Sequence, residues 1–376
     1  MMDALVVTSI DRIPRAEWDR CFRGELEGWD YHRAVEQAGL PGFSHRYVAL
    51  FDRGALLAAA PAFITDYRLD TTVQGPWKRV SSALARAMPR LMSLRMICLG
   101  SPVSEVCHLG FAPSVSDIDK PRLLTRMLRA LEDYAREQRV GLICVKDAPD
   151  AAESLWHFAL DAGYQRLPSL PTAVLDLDGC DEAAYLARLS GSTRKDVRRK
   201  MKMSAELRIE RRSTIDDVLP EIMALYDQTL ARSDLQFERL TPEYFAGVLR
   251  HMGARASCFL YWHVDTLIGF NLVLHDGDRL IDKFLGMHGE LGRRYNLYFV
   301  SWMTNVRLCI AGGIPCYQSG QAGYGPKRRL GSKLQPNWLY FRHRKPWLNR
   351  VLKLVGQLVR VDRYDPDLGS GDRAAA

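Results

Sequence analysis

Residues 182–205 read EAAYLARLSGSTRKDVRRKMKMSA, and this stretch sets how the rest of the chain divides. Ser190-Gly191 breaks or bends a helical pattern, because Gly weakens a helix and Ser competes for its backbone hydrogen bonds. Residues 194–202, RKDVRRKMK, carry six basic side chains against one acid. At 3.6 residues per turn Lys195, Arg199 and Lys202 share a face, with Arg198 beside it. A face of this kind is either simply solvated or holds an anion.

Working outward, each side of this segment shows the same order of elements. Upstream, 4–8 reads as a strand and 15–38 as helical, with Trp18, Phe22, Trp29 and Val35 on apolar stripes. RYVALFD (46–52) and LLAAAPAFITDY (56–67) are strands split by the turn Asp52-Arg53-Gly54. A basic amphipathic segment (75–95), a strand RMICLGSP (95–102) and a loop VSEVCHLGF (103–111) follow. Then come a helix (120–139), the strand VGLICVKD (140–147), a helix (151–162) and the strand TAVLDLD (172–178). Downstream, LRIERR (207–212) is a strand, and 218–231 and 242–252 are helices. A hairpin (257–264 and 267–276), a strand RLIDKFLGM (279–287), a helix (298–311), a strand IPCYQSG (314–320) and a last strand (337–344) complete the order. Hairpin, strand, helix, strand argues for α/β architecture with a mixed sheet in each half. The expected divisions are 1–180, the connecting helix 181–205, 206–344, and an amphipathic helix with a disordered tail over 345–376.

The composition agrees with a folded chain. Of 376 residues, 47% are apolar and 10% aromatic, which supplies a core and excludes global disorder. A net charge of +8 points to an anionic partner without choosing among nucleotide, phospholipid and RNA. The eight cysteines contain no C-x-x-C pair, so thiolate metal sites are not expected, and their apolar neighbours suit a reducing, cytoplasmic setting. The N-terminus has no basic n-region, and the apolar run 55–64 spans about half a bilayer and contains Pro61.

Three segments carry a family resemblance. LSGSTRKDVRRKMK (189–202) resembles the basic inter-domain helix of FemABX-type aminoacyltransferases and their GNAT-like relatives from cellulose and exopolysaccharide loci. GGIPCYQSGQAGYGPKRRLGSKLQPNWLYFRHR (312–344) is similar to their helix end, short strand, Gly-x-x-x-Tyr-x-x-Lys-like turn and final strand. LGSPVSEVCHLGF (99–111) resembles the Gly-Ser-Pro loop of their first half. The resemblance implies a tandem GNAT-like acyl-CoA N-acyltransferase fold, with the donor entering a split between the fourth and fifth strands of a half. In the second half those strands are RLIDKFLGM and CYQSG. It also implies an enzyme that moves an acyl or aminoacyl group to an amine. No permanently bound cofactor and no metal are implied; the co-substrate is acyl-CoA or aminoacyl-tRNA. The acceptor is a small-molecule or cell-envelope precursor amine. A tRNA partner follows from the same resemblance, and a DNA partner does not. The alternative is an inactive GNAT-like module that binds an anionic glycan or lipid precursor.

Amine attack on a thioester or ester needs a base for the amine, a partner for the oxyanion and a proton for the leaving group. Lys327 matches the family's lysine and is the candidate oxyanion partner; its bland reading is a surface lysine beside Arg328 and Arg329. Tyr324 is a candidate acid and Gln321 a candidate substrate contact, unless both serve turn packing. Asp282 interrupts an apolar strand, and strand geometry sends Asp282 and Lys283 to opposite faces, so one of them faces the cleft. Glu105 and His108 in the first half could bind substrate or be a loop acid and a satisfied histidine, and Lys195 and Arg199 are candidate anion contacts. In MHGELGRRYNLYF (287–299), Gly289 and Gly292 give a flexible turn, and Arg293 and Arg294 put cations at a helix start where a donor phosphate could sit. Residues 345–361 form a basic amphipathic helix with Trp347, Val351, Leu354, Val355 and Leu358 on one side. Its apolar side is expected to pack on the second half; peripheral contact with the inner membrane face is the alternative.

Overall fold

The computed structural model describes residues 2–68, 93–233 and 237–358. The chain opens with β1 (Met2–Val7), α1 (Arg15–Cys21), α2 (Trp29–Gln37), β2 (Phe43–Asp52), β3 (Ala55–Arg68), β4 (Ser93–Leu99) and β5 (Gly110–Phe111). α3 (Lys120–Glu137), β6 (Leu142–Pro149), α4 (His157–Asp161) and β7 (Gln165–Asp176) follow. The connecting segment is α5 (Glu182–Arg188) and α6 (Gly191–Met201). After it come β8 (Arg208–Arg212), α7 (Leu219–Leu230), α8 (Pro242–Met252), β9 (Ala256–His263), β10 (Thr266–His275) and β11 (Arg279–Met287). The last elements are α9 (Leu291–Arg294), α10 (Leu297–Gly312), β12 (Cys316–Gly320), α11 (Tyr324–Arg329), β13 (Lys333–His343) and α12 (Pro346–Leu358).

Two compact units result: Met1–Glu36, Leu40–Pro171 and Pro336–Ala376 make the first, and Gln37–Gly39 with Thr172–Gln335 make the second. In the first, the strand order is β1-β2-β3-β4-β6-β13. β4 and β6 are parallel, so the chain between them must cross over, and α3 is that crossover. α3 is helical because Leu124, Met127, Leu128, Leu131 and Ala135 recur every three or four residues. That stripe is buried in one cluster with Val48, Leu50, Ile97, Leu99, Ile143 and Val145, at ~1.5–3 kcal/mol per fully covered large side chain. The second unit repeats the plan as β8-β9-β10-β11-β12-β7, with β11 and β12 parallel and α10 as the crossover.

Several boundaries differ from the sequence reading. The stretch 15–38 is two helices, because the chain turns at Gly24 with φ +69°. The break at Ser190 is real: its hydroxyl caps α6 by accepting from Thr193 N at 3.2 Å. The closing strands are exchanged relative to the linear order. β13, expected to finish the second half, pairs with β6 in the first unit, and residues 173–176 of β7 pair with β12 in the second. Nor does α12 pack as expected. Its partly buried Leu352 joins a first-unit cluster, while Trp347, Val351 and Leu354 are exposed. The basic segment at 75–95 lies, up to residue 92, outside the described residues, as does the tail beyond 358. Among the described residues no helix is long and apolar enough to cross a membrane.

Candidate active site

The parallel pairing of β11 with β12 covers only Arg279–Ile281 against Cys316–Gln318. Among the described residues, β11 stays paired past Ile281 with β10 alone, so a split opens between the fourth and fifth strands of the unit's mixed sheet. Asp282 is the first residue beyond the pairing. The β10–β11 register shifts there: Val273 faces Asp282 and Leu272 faces Phe284, which leaves Lys283 as the extra residue of a bulge. A bulge re-aims its neighbours, so simple alternation does not decide where these side chains go.

Three neutral donors are among the partners of Asp282. Asn271 Nδ2 donates to Oδ1 at 2.6 Å, while Asn305 Nδ2 and the Tyr317 hydroxyl donate to Oδ2 at 3.2 and 3.1 Å. Asn305 Nδ2 also donates to the Tyr317 oxygen at 3.1 Å. The donors come from β10, α10 and β12, so the carboxylate is fixed by three elements at once. Asn271 and Asn305 are fully buried, and each leaves its Oδ1 buried without a partner among the described residues. Burial and the Asp282 carboxylate push the Tyr317 hydroxyl well above its ordinary range, so it stays a donor. The hydroxyl of Tyr298 is raised likewise, by burial and then by Asp282, against Arg329. The sequence reading missed Asn271, Asn305 and Tyr317. The signal was there in part, since Asn271 interrupts an apolar strand just as Asp282 does.

Lys327 is not a surface lysine. It is only 7% exposed, whereas Arg328 and Arg329 point to solvent. Its Nζ donates to the Gln321 carbonyl at 3.2 Å, just beyond the C-terminal end of β12. Lys327 and Asp282 therefore lie toward the same end of the β11–β12 pairing. α11 reaches this place through Gly320 and Gly323, at φ +89° and +61°, backbone that favours glycine. Tyr324 is fully buried, and Gln321 is partly so.

The turn after β11 holds Gly289, Gly292, Arg293 and Arg294. Its amides are already engaged: Gly289 N donates to Gln228 Oε1 at 3.4 Å, Glu290 N and Leu291 N to His288 Nδ1, and Gly292 N to His288 O. A Cβ at Gly289 would come within 2.7 Å of Arg232 Nη1. The turn is thus not an open amide cradle, and its remaining offer to a phosphate is the exposed Arg293 and Arg294. On α6, Lys195 and Arg199 are exposed; Arg199 and Lys200 both pair with Asp196, and Lys200 Nζ lies 3.4 Å from the centre of the Phe299 ring.

In the first unit the equivalent place is occupied by its own loop. β4 and β6 part after Leu99 and Val145; the chain then folds back, with Lys146 Nζ donating to Ser104 O at 2.6 Å and Cys107 N to Asp147 O at 2.9 Å. His108 is buried between Glu25 and Glu27, each 2.9 Å from a ring nitrogen, and Ser104 Oγ donates to Glu27 at 3.1 Å. Burial opposes a charge on His108, but the two glutamates outweigh it and push the imidazole up to about 10. Glu105 contributes its carbonyl, which accepts from Asn337 Nδ2 at 3.3 Å. Burial, with Asp147, pushes the Cys107 thiol up to about 12, which removes it as a nucleophile at neutral pH.

Residues 191–328 match the family model of the acetyltransferase (GNAT) domain, a span that includes Asn271, Asp282, Asn305, Tyr317 and Lys327. Among solved structures the chain resembles FemX, with a TM-score of 0.60 at 12% identity over 93% of this chain and 100% of that one. It also resembles a tandem GNAT protein from the clavulanic acid biosynthesis pathway, with a TM-score of 0.55 at 12% identity over 92% and 99%. At such identities the likeness is one of fold. In sequence it is 23% identical over 331 residues to the Mycobacterium tuberculosis protein named "Putative 8-amino-7-oxononanoate synthase 2". That match takes in 84% of this chain, which spans only 42% of the relative.

Proposed function

We propose that this chain, whose residues 191–328 form a domain of the acetyltransferase (GNAT) family within a tandem GNAT fold, transfers an acyl group to an amine at the β11–β12 split. The observation that carries this is the Asp282 carboxylate, fixed by Asn271, Asn305 and Tyr317 where the two strands part. In the proposed step Asp282 takes a proton from the acceptor ammonium. The free amine attacks the acyl carbonyl carbon; a C–N bond forms and the C–S or C–O bond to the donor breaks. Lys327 stabilises the oxyanion, Tyr324 gives its proton to the leaving group, and the second proton that the attacking nitrogen sheds as the amide forms restores the Tyr324 hydroxyl. The GNAT match favours acyl-CoA as donor over a carrier protein or aminoacyl-tRNA. The acceptor is an amine on a small molecule or a cell-envelope precursor.

The test is thiol release from acetyl-CoA in the presence of amino sugars and amino acids. Asp282→Asn should lower turnover by roughly 10²–10⁴ with the fold intact; unchanged turnover removes Asp282 as the base. The engaged amides of the 288–292 turn favour a second reading, a module that binds an anionic precursor without transferring anything. Amine-independent binding, with no thiol released under any condition, would select it.

A further inference from the structure

α12 has three distinct sides. Leu352 packs against the cluster formed by Phe63, Met96, Cys98, Leu142, Cys144 and Phe341. Asn349 clamps the helix, accepting from His343 N at 3.1 Å and donating to Gly163 O at 3.2 Å. At 3.6 residues per turn, Trp347, Val351 and Leu354 form a separate stripe. They are 60%, 44% and 62% exposed, so the described residues of the first unit do not cover them. Arg350 and Lys353 run along the far edge of that stripe, Arg344 and Lys345 lie at its start, and all four are exposed. Between Glu290 and Asp362 the sequence has no acidic residue at all.

We propose that this face of α12 seats the protein on an anionic lipid surface, with Trp347, Val351 and Leu354 in the headgroup boundary and the cations on lipid phosphates. Charge complementarity selects this occupant. An apolar stripe with an interfacial tryptophan and a basic flank is the arrangement that binds anionic bilayers, each cation adding to the attraction. A second copy of the chain would set the same cations against one another, which disfavours self-pairing. The inference is independent of the acyl-transfer step, so either can fail alone.

The experiment is co-sedimentation of the full chain with vesicles of phosphatidylcholine alone and of phosphatidylcholine mixed with phosphatidylglycerol. Binding to the mixed vesicles only is expected. The triple variant Trp347→Ser, Val351→Ser, Leu354→Ser should bind at least about tenfold more weakly. Arg350→Gln with Lys353→Gln should weaken binding by roughly 10–30-fold and flatten its salt dependence. If the triple variant fails to fold, the double variant still decides. Failure of the wild type to sediment, equal binding to both vesicles, or a wild-type dimer that the triple variant converts to monomer would overturn the proposal.

Discussion

Within one unit Asp282 is half-buried and Lys327 is buried, where an unpaired charge would cost stability. Replacing Lys327 with Ala should cut turnover by roughly 10²–10³ while the protein still folds, measured by steady-state kinetics beside a melting curve. Near-normal turnover would leave Lys327 a structural tie to Gln321. His108 makes a different prediction. Its folded pKa of about 10 lies above the ordinary 6.5, so its stabilisation is fully present below about 6.5 and is lost as pH rises toward 10. Burial instead pushes His32 down to about 3, so its contribution is present above 6.5 and is lost as pH falls. The melting-temperature gap between wild type and His108→Gln should therefore narrow between pH 6.5 and 10; a constant gap would contradict the ion cluster. At this scale the sequence was partly legible. Asp282 stood out because a charge in an apolar strand needs a reason, and the same logic applied to Asn271 would have found its partner. Glu25 and Glu27 were hidden because 15–38 read as one helix. Gly24, at φ +69°, breaks that stretch, but a single Gly inside a helical pattern does not by itself mark a break.

α10 is both the crossover that makes β11 and β12 parallel and the carrier of Asn305. Asn305→Leu should lower turnover while the protein still folds, because Asp282 and the Tyr317 hydroxyl both lose the amide that orients them. Unchanged kinetics with a lowered melting temperature would assign Asn305 to packing. Element order was readable because α3 carries a clean three-to-four period and β9 and β10 are short, almost wholly buried apolar runs joined by a turn. The bulge at Lys283 was not, because register depends on the partner strand. The amphipathic pattern of α12 was also visible. Which stripe packs was not, because Leu348 and Leu352 form a second apolar row beside Trp347 and Val351.

Over the whole molecule, one topology is built twice and the closing strands β7 and β13 are exchanged between the units. Linear reading found the repeat but placed the last strand in the wrong half, because strand partners far apart in sequence leave no local signal. The two units are not equivalent as sites. In the first, the loop over 100–108 is tied to Lys146 and Asp147 where β4 and β6 part. In the second, the corresponding split carries Asp282 and ends near Lys327. Under the proposed function only the second split takes the acyl donor. A crystal structure with a non-hydrolysable acetyl-CoA analogue decides this. The acyl carbonyl is expected between β11 and β12, beyond Ile281 and Gln318, within hydrogen-bonding reach of Lys327 Nζ; an acyl group bound in the first unit, or away from Asp282, would overturn it.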